Sequence, residues 1–368
     1  MTKKILFVID RLNEGAGKVV YNIANSLDKN RFDVAVVSIY MGGNLTGLFD
    51  KSGIKVVYIE KKTRSHLSIV LNLRKIIKKE KADVVHTHNV DAYEYGVLAA
   101  RLAGVKKIVH TSHGKSVKRG RFRRFRENLY HKFISLFLDR YIAVSRDLGK
   151  YAEKNWCLDK KKIKIVYNGV DTNKYRKLKV NRRLLNELNI RNGEKIIGIV
   201  AGLRHVKDHI TLFKAMEIVK EEIPGSKLLV IGDGPEREKL IDFVNKSDLD
   251  KNIKFLGNRE DIIELYNCMD VCVLCSLSEC LSITLLEGMA CCIPFVVTRV
   301  GGNPEVISDG ADGFLVEAKD SNMIAEKIVK LLKDKELAYE IGKKAREKVL
   351  INFNVKGMVK KYEGLYGF

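Results

Sequence analysis

Apolar and polar positions along the chain fall into two alternating series. In the first, short runs of strand character lie at Lys4–Ile9, Asp33–Ile39, Lys55–Ile59, Asp83–His86, Lys107–Thr111, Arg140–Val144 and Lys164–Val166. Between them, stretches near 66–80, 92–103, 122–138 and 146–156 carry helical patterns. Alternation of this kind predicts an α/β fold whose parallel sheet is covered by helices on both faces. Tyr167–Asn192 is polar and irregular and reads as an interdomain linker. The series then restarts, with strands expected at Lys195–Val200, Lys227–Ile231, Ile253–Phe255, Val271–Cys275, Pro294–Thr298 and Gly313–Val316. Helices are expected near 208–222, 236–246, 260–268, 283–291 and 321–333, and again over 336–349 and 353–366. Two restarts of one pattern imply two doubly wound domains facing one another across a cleft.

Composition narrows the class. The chain of 368 residues can bury two separate cores, and 46% apolar with 30% charged residues describes a soluble globular protein. No run of about 18 apolar residues occurs, so no bilayer-spanning helix is expected. The opening Met1-Thr-Lys-Lys, five apolar residues and Asp10 read as a first strand and not a signal peptide. Six of the seven cysteines crowd between Cys268 and Cys292 without paired C-x-x-C spacing, which points to buried thiols in a cytoplasmic protein rather than to zinc.

Charge adds a partner. The net charge of +22 predicts an anionic one: nucleic acid, an anionic membrane face or phosphorylated substrates. Lys115–Arg126 carries seven basic residues in twelve, interleaved with Phe122 and Phe125, and Leu129, Phe133, Leu136 and Phe137 follow. Such a stretch suits an anionic lipid surface, a nucleic-acid backbone or a solvated loop.

Ligands of doubly wound sheets bind at the carboxyl ends of the strands. His86, His88 and His113 fall at such ends. Asp10–Lys18 forms a turn in which Gly15 and Gly17 permit close backbone approach, although Val20 and Leu12 stand where dinucleotide and P-loop patterns need glycine. In the second series, Ala201–Asp208 brings Arg204 and Lys207 to a helix entrance, with Asp208 as its expected N-cap. Glu279 and Glu287 lie eight residues apart across a loop-to-helix junction. A helix starting near Ser282 separates them by on the order of 10 Å. That spacing suits one carboxylate at each end of a nucleotide diphosphate, with free helix N–H groups facing the phosphates between. Asp248-Leu-Asp250 lacks the preceding apolar strand of a metal-binding D-x-D, so no metal is expected.

These pieces resemble the retaining glycosyltransferases of family 4, which have the GT-B fold of two Rossmann-like domains. The resemblance rests on E-x7-E from Glu279 to Glu287, running on through M-A-C-C-I-P and G-G-N-P-E. D-V-V-H-T-H (83–88), H-T-S-H-G (110–114), N-G-V-D (168–171), G-D-G-P (232–235) and F-L-G-N (255–258) support it in order and spacing. It implies an acceptor-binding domain over 1–175, a nucleotide-sugar domain over 190–350, and a C-terminal segment, about 351–368, returning to the first. Glu287 would bind the ribose hydroxyls and Glu279 would sit by the donor sugar. The backbone of Leu281, Ser282, Ile283 and Thr284 would meet the diphosphate. Arg204 and Lys207 would neutralise the leaving group. The stretch from Gly257 through Arg259 to Glu260 would contact the base. Gly15 and Gly17 would close over the donor, and His113 would lie near acceptor and transferred sugar. Cys280 and Cys292 stand where the family pattern has glycine, and Arg204 stands one position later than the usual arginine.

The expected activity is therefore transfer of a sugar, from a nucleotide donor that is UDP-linked, to a glycan or lipid-linked acceptor of a cell-surface polysaccharide or lipopolysaccharide. The reaction would proceed with retention and without metal or cofactor. The protein would be cytoplasmic, touching the anionic inner membrane face through Lys115–Arg126. A UDP-sugar 2-epimerase of the same fold is the alternative, and nucleic-acid binding a remote one.

Overall fold

The computed structural model describes residues 2–13, 15–59, 65–115 and 121–367, without the side chains of 121–125 and 127. Its contacts divide the chain into two compact units, one of residues 1–169 with 355–368 and one of residues 170–354.

The first unit is a seven-stranded parallel sheet. Its strands are β1 (Lys3–Ile9), β2 (Phe32–Ser38), β3 (Lys55–Tyr58), β4 (Val84–His88), β5 (Lys107–Ser112), β6 (Arg140–Ala143) and β7 (Ile163–Ile165), in the order β3-β2-β1-β4-β5-β6-β7. Helices α1 (Ala16–Ser26), α2 (Thr46–Lys51), α3 (His66–Lys79), α4 (Val97–Ala103), α5 (Arg121–Ser135) and α6 (Arg146–Asn155) connect them, with a π-helical turn (Ala92–Gly96) leading into α4. Residues of β1 from Ile5 to Ile9 are fully buried because helices cover both faces. Strand order reverses between β1 and β4, where Ile9 lies level with His88. β4 thus runs two residues beyond the expected His86, through a polar pair the apolar pattern could not count.

The second unit contains β8 (Ile196–Val200), β9 (Lys227–Ile231), β10 (Ile253–Gly257), β11 (Val271–Leu274), β12 (Phe295–Thr298) and β13 (Phe314–Val316), all parallel in the order β10-β9-β8-β11-β12-β13. Its helices are α7 (Arg182–Glu187), α8 (His209–Glu222), α9 (Arg237–Lys246), α10 (Ile262–Cys268), α11 (Ile283–Ala290), α12 (Asn303–Val306), α13 (Ser321–Lys333) and α14 (Lys335–Asn352). Residues 170–192, expected as linker, belong to this unit. The buried Asn267 side chain accepts from Leu178 N–H and donates to Arg176 O, while Val170 N–H donates to Phe353 O. Backbone groups satisfied in this way fix a polar segment as firmly as apolar packing does.

The last helix, α15 (Val355–Tyr366), packs on α1 in the first unit. Two buried tyrosines on it reach the sheet. Tyr366 Oη lies 2.6 Å from His86 Nδ1, His86 Nε2 lies 2.7 Å from Thr111 Oγ1, and that hydroxyl lies 3.2 Å from Tyr362 Oη. Among the described residues, no helix is long and apolar enough to cross a membrane.

Candidate active site

The loops at the carboxyl edge of the second sheet interlock, and glycines make this possible. Gly232 and Gly234 let the 232–236 turn lie against the 201–204 loop. A Cβ on either would come within 2.2 Å of Ala201 O or 2.4 Å of Leu203 O. Leu203 N–H donates to Asp233 O, and Glu236 N–H to Leu203 O. Leu277 N–H then donates to Val206 O at 2.8 Å, joining the loop after β8 to the loop after β11. Gly301, at φ +54°, lies so close to Glu279 that any Cβ there would overlap its carbonyl oxygen.

This frame brings Lys207 and Glu279 together. Lys207 Nζ forms an ion pair and hydrogen bond with Glu279 Oε1, which also accepts from Ser276 Oγ at 2.7 Å. Arg204 stands exposed on the same loop, and its guanidinium has no hydrogen-bond or ion-pair partner among the described residues. An unpaired arginine beside a lysine at a strand's carboxyl end is a ready anion site. Asp208 takes the N-cap position of α8 expected of it, but its side chain makes no capping bond. It adopts a left-handed φ of +49°, and its carboxylate accepts from Thr211 Oγ1 at 2.7 Å instead of from a backbone N–H.

α11 begins where the sequence places it. Ser282 is its N-cap, and Ser282 Oγ accepts from Leu285 N–H at 3.3 Å. The first-turn N–H groups of Ile283 and Thr284 have no acceptor within the helix. The helix is not amphipathic, however. All its residues but Thr284 are buried, since Gly288 admits the ring of Phe295 and α14 packs alongside. Glu287 is consequently only 1% exposed, a carboxylate inside the fold rather than on a helix surface. Cys280 and Leu281 are buried between the two glutamates.

Arg259 is committed to structure. Its guanidinium holds Asp261 with two bonds of 2.8 and 2.7 Å and reaches Glu187 at 3.4 Å. What this stretch offers a base is backbone around Gly257, which has φ +65° at the end of β10.

In the first unit, Gly15 has φ +80° ahead of α1, while Gly17 lies within the helix's first turn, where a Cβ would crowd Leu45 and Leu12. His113, half-buried just past β5, has Nε2 2.9 Å from Nδ1 of the fully buried His88. Burial pushes the His113 imidazole down to about 4 and drives His88 down as well, with His86 and His113 adding to the effect, so both rings are neutral at pH 7. Sequence reasoning missed Asp10, which follows β1 directly. Burial pushes its carboxyl up to about 7, against the lowering effect of the Ala92 N–H it accepts at 2.7 Å. The signal was a lone acid at the carboxyl end of an apolar strand. Of the basic run Lys115–Arg126, residues 116–120 and the Phe122 and Phe125 side chains lie outside the described residues.

Two family models match the chain: "Glycosyltransferase Family 4" over residues 13–174 and "Glycosyl transferases group 1" over residues 180–348. The chain is 32% identical to the N-acetyl-alpha-D-glucosaminyl L-malate synthase of Bacillus anthracis, over 82% of its own length and 78% of that protein's. It is 29% identical, over 96% and 94%, to the UDP-Gal:alpha-D-GlcNAc-diphosphoundecaprenol alpha-1,3-galactosyltransferase of Escherichia coli. The fold matches Anabaena Alr3699/HepE, solved with UDP and glucose, at a TM-score of 0.86, 22% identity and full coverage of both chains. The chain therefore belongs to glycosyltransferase family 4 and has its GT-B fold of two Rossmann-like units.

Proposed function

We propose that the protein transfers a sugar from a UDP-sugar to a lipid-linked glycan acceptor, with retention at the anomeric carbon. The observation that carries this reading is the cation pair on the 201–208 loop. Lys207 is held by Glu279, and Arg204 is unpaired, on loops that interlock with the approach to α11. In the transfer, the acceptor oxygen bonds to the anomeric carbon on the face from which UDP departs. The bond to the β-phosphate oxygen breaks, and that oxygen takes the acceptor's proton. Charge then develops on the diphosphate, where Lys207, Arg204 and the first N–H groups of α11 stabilise it. Glu287 receives the ribose hydroxyls, a use that accounts for a buried carboxylate in an otherwise apolar helix. Glu279 serves the sugar and orients Lys207, and His113 serves the acceptor side.

Support for UDP and for a diphosphate-linked lipid comes from what the Escherichia coli relative acts on and the Anabaena protein binds. A thermal-shift panel of nucleotide sugars tests the donor, since a ligand of the native state raises the melting temperature. Transfer to a GlcNAc-diphosphate-alkyl acceptor is then assayed with Glu287→Ala and Lys207→Ala proteins. Turnover unchanged in both would remove this assignment.

A further inference from the structure

The helical layer on one face of the first sheet carries a surface that the transfer chemistry does not use. The steps β3 to β4, β4 to β5 and β5 to β6 run in one direction along the sheet, while β1 to β2 and β2 to β3 run in the other. Parallel crossovers are right-handed, so α3, α4 and α5 share one face and α1 and α2 the opposite one. Two guanidiniums tie the three helices together. Arg74 donates to Leu102 O at 3.1 Å, and Arg101 to Phe137 O at 2.6 Å. Leu67 of α3, Leu98 of α4 and Tyr130 of α5 line a single groove, so the outer sides of the helices form one continuous surface.

That surface is both apolar and cationic. Seven of the fifteen large apolar side chains exposed among the described residues lie on these helices, which hold only 14, 7 and 15 residues. α3 buries Ile69, Leu73 and Ile77, and its opposite side exposes Leu67, Leu71, Lys75 and Lys78. α4 exposes Arg101 and Leu102 at its end, and α5 exposes Arg126, Leu129, Lys132, Phe133 and Leu136. α3 and α4 contain no acidic residue, and α5 contains one, Glu127. In a parallel sheet each connecting helix starts at the carboxyl edge and returns towards the amino edge. On α3 the leucines therefore lie above the lysines, whereas on α5 Arg126 lies above Phe133 and Leu136. Cations and carbon are interleaved across the face, not gathered at separate ends of it.

We propose that this face docks on an anionic lipid bilayer. The leucines and Phe133 enter to headgroup depth, and the lysines and arginines meet the lipid phosphates. For its purpose the inference rests on the lipid-linked acceptor proposed above. The pattern of charge selects this partner. Lysine is depleted from the apolar cores of protein interfaces, whereas here it alternates with leucine. A nucleic-acid backbone would engage the cations and leave Leu67, Leu71, Leu102 and Phe133 in water. The surface of an anionic bilayer takes up both. The membrane contact expected of Lys115–Arg126 thus widens to three helices, with Arg126 common to both.

The test is sedimentation of the full chain with phosphatidylcholine vesicles, with and without phosphatidylglycerol. Wild type is expected to bind the anionic vesicles alone, and less tightly as salt is added. A protein with Lys75, Lys78 and Lys132 all changed to Gln is expected to bind about 100-fold more weakly, near fivefold for each cation removed. A control with Lys214, Lys246 and Lys335 of the second unit changed to Gln has the same net charge and is expected to bind like wild type. All six positions are exposed, so folding is preserved, and unchanged melting temperatures confirm it. Phe133→Trp places a probe on the face, while the chain's one native tryptophan, Trp156, is buried. Its emission is expected to shift to the blue on anionic vesicles and to be quenched by brominated lipid. Wild type that does not bind anionic vesicles would overturn the inference. So would a control weakened as much as the face variant, which would mean that net charge alone acts, or a Phe133→Trp emission that vesicles leave unchanged. A chain that is dimeric without lipid, is dispersed by Phe133→Ser and ignores vesicles would give the face to a second copy. Retention of DNA that the face variant abolishes, without vesicle binding, would give it to nucleic acid. Vesicle binding needs neither donor nor acceptor, so the docking face and the proposed transfer can fail separately.

Discussion

Nδ1 of His88 lies 2.9 Å from Nε2 of His113, and the other ring nitrogen of His88 is buried with no hydrogen-bond partner among the described residues. Both rings are neutral, so a single proton lies between them. If His113 donated it, the remaining proton of His88 would be an N–H buried without an acceptor, the kind of orphan folded proteins rarely keep. His88 therefore donates, and His113 carries its own proton on Nδ1. In the proposed transfer it meets the acceptor as a hydrogen-bond donor and not as a base. Nitrogen-15 spectra of histidine-labelled protein are expected to show His113 as the Nδ1–H tautomer. His88→Asn, whose amide can take the place of the Nδ1 donor, is expected to keep that signature and most activity. His88→Leu is expected to lose the signature and about tenfold in kcat/KM, the worth of one hydrogen bond. An Nε2–H tautomer in the wild type would refute the assignment.

The Lys207–Glu279 pair predicts an ordered set of losses. In the proposed transfer Lys207→Ala removes a cation from the departing diphosphate, and it is expected to lower kcat about 100-fold to 1,000-fold, the range seen when one stabilising donor is removed. Arg204→Ala, on an exposed side chain, is expected to cost less and to raise the donor KM. In the proposed transfer these cations supply the charge, so turnover is expected to persist in EDTA. Abolition by EDTA, with rescue by a divalent ion, would show that a metal shares the task.

Much of this architecture was legible in the chain. Strands buried on both faces are apolar throughout, so β1, β8 and β11 announced themselves, and the onset of a helical pattern placed the start of α11 near Ser282. The failures share a cause, which is that polar residues buried by tertiary contacts look like surface in a linear pattern. β4 seemed to stop at His86 because Thr87 and His88 are polar, although both are fully buried. Residues 170–192 seemed a linker because the carboxamide that fixes them belongs to Asn267, some 90 positions away.

Cys292 yields a prediction about stability. It lies two residues past the end of α11 at φ +62°, a left-handed conformation that favours glycine. A side chain there costs roughly 1–2 kcal/mol, offset in part because glycine loses more chain entropy on folding. Cys292→Gly is expected to stabilise the second unit by about 0.5–1 kcal/mol, or a few degrees in melting temperature. Cys292→Ala retains the Cβ and is expected to give no such gain. Equal melting temperatures for Gly and Ala proteins would place the cost elsewhere.

Asp10 and the buried histidines predict opposite responses to pH. His113 and His209 have folded-state values near 4, against about 6.5 unfolded, so between these limits the unfolded chain binds more protons. Their contribution is complete above pH 6.5 and is lost as pH falls towards 4, with a limiting slope of about 1.4 kcal/mol per pH unit for each histidine. Asp10 runs the other way. Its folded value of about 7 lies above its unfolded value of 3.8, so the folded chain holds the extra proton and stability falls as pH rises between them. Asp10→Asn keeps an oxygen for the Ala92 N–H but cannot ionise. It is expected to be more stable than wild type at pH 8 and close to it at pH 4, as read by urea midpoints at the two pH values. An Asn protein that gains nothing at pH 8 would mean that the Asp10 carboxylate ionises in the fold without cost.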